Sequence, residues 1–219
     1  MAETGPIDYT DKDTFKAFAK IKAEDTTDDA NIAIWITAAS RAIDRAAGRM
    51  FSQPADTAVT RLFTLSQLHQ GEVYPFIYNP FLPRRWAPSV EIDDLFDTSD
   101  VVVTDWQTST VIDMTNVRFW PYNAAARAKP YTRLVWPLGA ITVAGDGQMQ
   151  VVAKFGWPSI PSSVVGACLL QTNRWYVRQK SPYGIAGATQ MGNDLRLMNK
   201  LDPDVDQLLG DVRRNPGAY

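Results

Sequence analysis

The segment Val151–Lys180, VVAKFGWPSIPSSVVGACLLQTNRWYVRQK, holds a strand, a stop and a helix in close succession, and it dictates what the rest of the chain must supply. An apolar run breaks at Gly156-Trp157-Pro158 and restarts after Pro161 with Val164, Val165, Cys168, Leu169, Thr172, Trp175 and Tyr176. These residues recur at the spacing that lines one face of an α-helix. Ser162 or Ser163 is placed to cap the open amides, and the proline before them disfavours an earlier start. Arg174, Arg178 and Lys180 fall in the last turns, where cations meet the negative end of the helix dipole. Such an amphipathic helix is stable only against an apolar partner.

Ala30–Ala47 provides one. Ile32, Trp35, Ile36, Ala39, Ile43, Ala46 and Ala47 repeat the same spacing behind Asp28 or Asp29, and Gly48 ends the run. Ala38, Ala39, Ala42, Ala46 and Ala47 are small enough to let a second helix approach closely, so the two helices are expected to pack together. A shorter helix is predicted within Thr10–Lys22, with Thr10-Asp11 or Asp13-Thr14 as caps. Asp202-Pro203 opens a last short helix carrying Val205, Leu208, Leu209 and Val212 on one side.

Between the long helices the texture is that of short strands: Val59–Leu65, Val73–Tyr78, Val90–Phe96, Val101–Trp106, Val117–Trp120, Thr132–Trp136 and Met149–Phe155. Ala144-Gly145-Asp146-Gly147 reads as a hairpin turn, and Pro75, Pro80, Pro83 and Pro88 make the middle loop-rich. The expected class is therefore α+β. A small antiparallel helix bundle carries an inserted antiparallel β-sheet or barrel and ends in a carboxyl-terminal arm plus a short helix. The expected divisions are 1–50 helical, 51–155 β, 156–181 the second long helix and 182–219 a flexible arm, helix and tail, all within one cooperative unit.

Composition narrows the function. A net charge of -2 over 219 residues lacks the basic footprint of a dedicated nucleic-acid binder. A single Cys and a single His allow neither an internal disulfide nor a zinc site of His and Cys ligands. Cys168, on the apolar helix face, is expected to be a buried small hydrophobe. The chain shows no apolar signal region and no membrane-spanning run, which predicts a reducing aqueous compartment. Catalytic patterns are also missing. His69 sits in a polar turn-like stretch with no nucleophile elbow, and Gly145/Gly147 and Gly184/Gly187 lack the companions of a phosphate loop. Glu91, Asp93, Asp94, Asp97, Asp100 and Asp105 form a run without Lys or Arg, which reads as a solvated acidic face before a two-carboxylate or cation site. Trp86, Trp106, Trp120, Trp136 and Trp157 read as strand-packing residues before stacking platforms for sugar or single-stranded nucleic acid. The expectation is a protein that is not an enzyme and holds no metal or cofactor.

The order of motifs resembles the head-to-tail connector (adaptor) proteins of long-tailed bacteriophages. Ala-Ala-Ser-x-x-Ile-Asp at Ala38–Asp44 with Gly48-Arg49-Met50-Phe51 is similar to the family's early helix and exit. Gly156-Trp157-x-x-Ile-Pro161-x-x-Val looks like the entry to its second helix, and Asp202-Pro203-x-Val205 with Leu208-Leu209 and Arg213-Arg214 like its terminal helix. The long β insertion resembles the larger adaptors of actinobacterial phages. The resemblance implies a structural ring, typically of twelve copies, under the portal protein of the virion, made in the host cytoplasm. Its further partners would be the next connector, stopper or tail-terminator protein, with double-stranded DNA passing through the lumen and no membrane. Portal or neighbour contacts are expected at Tyr183, Leu208, Leu209, Arg213, Arg214, Pro216 and Tyr219. Contacts between copies are expected where Arg84 and Arg85 meet Asp93, Asp94 and Asp97. The alternatives are a head-completion or stopper protein of the same neck and, from another class, a carbohydrate- or cell-surface-binding module.

Overall fold

A computed structural model describes residues 6–52, 57–66, 88–137, 147–179 and 201–214. They form two compact units, one within Ser52–Ser159 and one made of Gly5–Phe51 together with Ile160–Ala218. The expected strand Val73–Tyr78, the turn residues 144–146, and His69, Arg84, Arg85, Trp86, Tyr183, Pro216 and Tyr219 lie outside the described residues.

The helical unit contains α1 (Lys12–Phe18), α2 (Asp29–Ala47), α3 (Ser162–Gln179) and α4 (Pro203–Leu209). Asp11 caps α1, its carboxylate accepting from the Thr14 amide at 2.8 Å. At the end of α2, Gly48 adopts the left-handed conformation (φ 67°) that a side chain would strain, and its amide donates to the Asp44 carbonyl. α3 begins at Ser162 itself, with the Pro161 carbonyl accepting from Val164 and Val165. The serines expected as caps are thus already inside the helix. α2 and α3 run antiparallel: Tyr176 near the end of α3 donates to Asp28 before the start of α2 at 2.7 Å, while Ser40 meets Cys168 at 3.5 Å further along. Ile32, Ile36, Ala39 and Ile43 are buried on one side of this seam and Val164, Ala167, Cys168 and Thr172 on the other. Burying the isoleucine and valine side chains among them contributes about 1.5–3 kcal/mol each before entropy is counted.

α1 joins the pair through Phe15, which is fully buried and meets the Tyr176 ring edge-on at 5.8 Å. Asp29, in the first turn of α2, pairs with both Lys12 and Lys16 of α1 at 2.5 Å. The Lys12 ammonium, and after it that of Lys16, holds the Asp29 carboxyl below its ordinary range. A carboxyl depressed in the folded state stabilises above the unfolded pKa of ~3.9 and loses that contribution as pH falls through the folded value. Asp29→Asn should therefore lower the urea midpoint at pH 7, and the deficit should shrink steadily below pH ~3.9. A deficit independent of pH would mean that packing, not charge, is what Asp29 provides.

Among its described residues the sheet unit forms a five-stranded antiparallel sheet in the order β1-β5-β2-β4-β3, with β1 Val59–Ser66, β2 Ser89–Asp105, β3 Arg118–Trp120, β4 Tyr131–Val135 and β5 Gln148–Phe155. The end of β1 also pairs with the start of β2 through Leu65↔Val90. β2 corrects the sequence reading, which divided it into Val90–Phe96 and Val101–Trp106. Asp97, Thr98, Ser99 and Asp100 are turn formers, yet they are accommodated as bulged residues within one strand. Pairing on β5 advances only from Lys154 to Val152 while β2 advances from Asp97 to Val102. Asp100 takes a positive φ of 58°, and Asp97 accepts from the Ser99 amide at 3.0 Å. The core of this unit gathers Val90, Ile92, Leu95, Val103, Leu134, Trp136, Met149, Val151 and Phe155.

Candidate interaction surfaces

The acidic run of β2 is not a carboxylate cluster, because strand geometry and pairing send its members to separate partners. Asp93 pairs with Arg61 of β1 at 2.7 Å and Asp97 with Lys154 of β5 at 3.8 Å. Asp94 is buried, accepting from the Trp157 indole at 2.8 Å while its own carbonyl accepts from the Gly156 amide at 2.6 Å. Asp105 is also buried and accepts from the amides of Gln107 and Thr108 at 2.9 and 3.1 Å, organising the turn after β2. Among the described residues no group of three or more His, Cys, Asp or Glu is placed to hold a metal ion. Expected contact residues Asp93 and Asp97 remain partly exposed, whereas Asp94 belongs to the interior of its own unit.

Asp94 and Trp157 together explain the Gly-Trp-x-x-Ile-Pro element. Gly156 at φ 144° turns the chain out of β5, and Trp157, 1% exposed, drops into the sheet unit with its amide donating to the Ser52 carbonyl at 2.8 Å. The motif is thus an anchor at the edge of the sheet unit. Trp136 is equally buried, Trp120 is half-buried and Trp106 is exposed, so the tryptophans divide between packing and surface. Cys168 is fully buried, and burial pushes its thiol up.

The terminal helix is seated on α3. Asp202 caps it, accepting from the Asp204 amide at 3.0 Å, and also pairs with Arg174 at 3.1 Å. Gln171, 1% exposed, accepts from the Asp202 amide at 3.3 Å. Val205 and Leu209 are fully buried within the helical unit, which removes the Leu209 side chain from any surface and corrects its expected place in a contact with a partner. Leu208 is half-exposed beside Gly166, Arg213 pairs with Asp206 at 2.5 Å, and the Arg214 amide donates to the Ala47 carbonyl at 2.7 Å. An open groove of about 440 Å³ lies on β3, the last strand in the order among the described residues, lined by Arg118, Phe119, Tyr122, Asn123 and Tyr131.

No protein-family model matches the chain. No curated protein matches it. Among solved structures, the chain is similar to one described as "Neck of empty GTA particle computed with C6 symmetry", at 16% identity, a TM-score of 0.48, and coverage of 93% of this chain and 90% of that one. A likeness of this size assigns no role, which rests on the residues of the chain itself. Their geometry offers structural contacts: paired helices, a capped terminal helix and an exposed sheet. Among the described residues no helix is long and apolar enough to cross a membrane.

Proposed function

We propose that the protein is a noncatalytic head-to-tail adaptor of a phage-like virion. In this reading it forms a ring beneath the portal and links the filled capsid to the next connector or the tail, with DNA passing through the lumen. The observation that carries the reading is the folding together of the three motif-bearing helices on which the resemblance rests. α2, α3 and α4 pack in one unit although the sheet unit separates α2 from α3 in the chain. Supporting it, the anchor at Trp157 and the partners of Asp93, Asp94, Asp97 and Asp105 give the other conspicuous residues structural work within the sheet unit. Leu208, Arg213 and Arg214, with Tyr183, Pro216 and Tyr219, are the proposed portal-side contacts; Asp93 and Asp97 are the proposed partners of Arg84 and Arg85 on an adjacent copy. A ring built this way uses two different patches on each copy and so closes by rotation.

Electron microscopy of the purified protein mixed with portal assemblies tests the proposal. The expected result is a closed ring seated directly on the portal. A ring one layer further from the portal would make the protein a stopper instead, and portals left bare would remove the connector reading. Deleting residues 215–219 should weaken this docking without changing the thermal midpoint of the isolated protein.

A further inference from the structure

One face of the sheet carries a chemistry that ring assembly does not explain. Burial alternates strictly along β5, so Gln148, Gln150 and Val152 point away from the core. Pairing sets Thr60 and Val102 beside Val152, and Leu62 and Thr104 beside Gln150. Thr64 and Trp106 flank Gln148, the Trp106 amide donating to the Gln148 carbonyl at 3.1 Å. Val111 bridges to Thr104 and widens the middle row by one more strand. No charged residue occurs in these three rows. Leu62 is 51% exposed, Trp106 51% and Val111 67%, so the apolar members are open to solvent. Among the described residues, no hydrogen bond within the chain engages the side chains of Thr60, Thr64, Thr104, Gln148 or Gln150.

Three uncharged rows of amides and hydroxyls with one open indole, bordered along β5 by the Lys154–Asp97 pair, select their ligand. The amides and hydroxyls both donate and accept, as sugar hydroxyls do, and the indole offers an apolar plane with a polar edge. Phosphates, uronates and nucleic acids would find no countercharge in these rows. Size argues against a second copy of the chain as the occupant. Strand spacing of ~4.8 Å and a rise of ~3.4 Å per residue make the patch roughly 14 Å on a side. That is about a quarter of the ~800 Å² per partner that a stable protein interface buries. An oligosaccharide of a few rings fits it. We propose that this face binds a neutral polysaccharide, with Trp106 stacking on a sugar ring and Thr104, Gln148 and Gln150 hydrogen-bonding its hydroxyls.

The test is native affinity electrophoresis of the full chain through gels containing hydroxyethyl cellulose, dextran or galactomannan, with carboxymethyl cellulose as the charged comparison. At least one neutral polymer should retard the protein. Trp106→Ala and Gln150→Ala should each weaken that retardation tenfold or more, and Ile34→Ser, on the exposed side of α2, should leave it unchanged. Circular dichroism confirms that each variant is folded, and Trp106→Phe, which keeps an aromatic plane, should retain most of the binding if Trp106→Ala loses structure. Absence of retardation by all three neutral polymers overturns the proposal, as does retardation that survives Trp106→Ala in a folded protein. Sedimentation showing a dimer that Trp106→Ala dissolves would give the face to a second copy and overturn it as well. None of these readouts involves the portal, so they stand or fall separately from ring assembly.

Discussion

Replacing Trp157 with alanine should destabilise the sheet unit by about 3–5 kcal/mol, the range for removing a fully buried aromatic side chain. Two losses combine. The side chain is 1% exposed, so its removal leaves a cavity, and its indole is the donor to Asp94 at 2.8 Å, so a buried carboxylate is left without that bond. Trp157→Phe separates them: it keeps most of the ring and removes the donor, for an expected cost of about 1–3 kcal/mol. Guanidinium unfolding of the two variants measures both, followed by far-ultraviolet circular dichroism because the substitution removes a fluorophore. A cost for Trp157→Ala below ~1 kcal/mol would mean that the sheet unit closes over the gap and that the motif is not an anchor.

Leu209→Ala should cost about 2–5 kcal/mol in the helical unit, because the side chain is fully buried between α4 and its neighbours. Leu208→Ala, at a half-exposed position one residue earlier, should cost clearly less. The pair separates folding from docking. If Leu209→Ala leaves the unfolding midpoint in place but abolishes binding to portal, then α4 acts as a detachable contact and its seat on α3 is not part of the folded core. If Leu208→Ala weakens docking while the midpoint holds, the proposed division between an inner and an outer leucine is supported.

The long helices were legible because their burial is periodic and their ends are marked. Ile32, Ile36, Ala39 and Ile43 announce α2, and Gly48 closes it with the positive φ that a glycine supplies cheaply. The seat of α4 was not legible, because a polar residue carries part of it: Gln171 is buried and bonded to Asp202, and no apolar pattern marks it. The acidic run misled for the opposite reason. Sequence neighbours along a strand alternate between faces, so Asp93 and Asp94 part company at once, one to Arg61 and the other to Trp157. The bulge of β2 hid behind turn-forming residues, whose local preference was met inside a strand held by its partners on both sides. The uncharged rows were present in the sequence only as scattered Thr, Gln and Val. Their adjacency depends on pairing between distant strands, which periodicity cannot supply.

The bond from the Arg214 amide to the Ala47 carbonyl has a mechanical meaning. It ties the last described turn of the chain to the end of α2, with the buried Val212 side chain beside it as a cleat. A pull on the chain beyond Arg214 therefore meets the end of α2 through this clip as well as α4 through the covalent chain, so the load is shared between two elements of the helical unit.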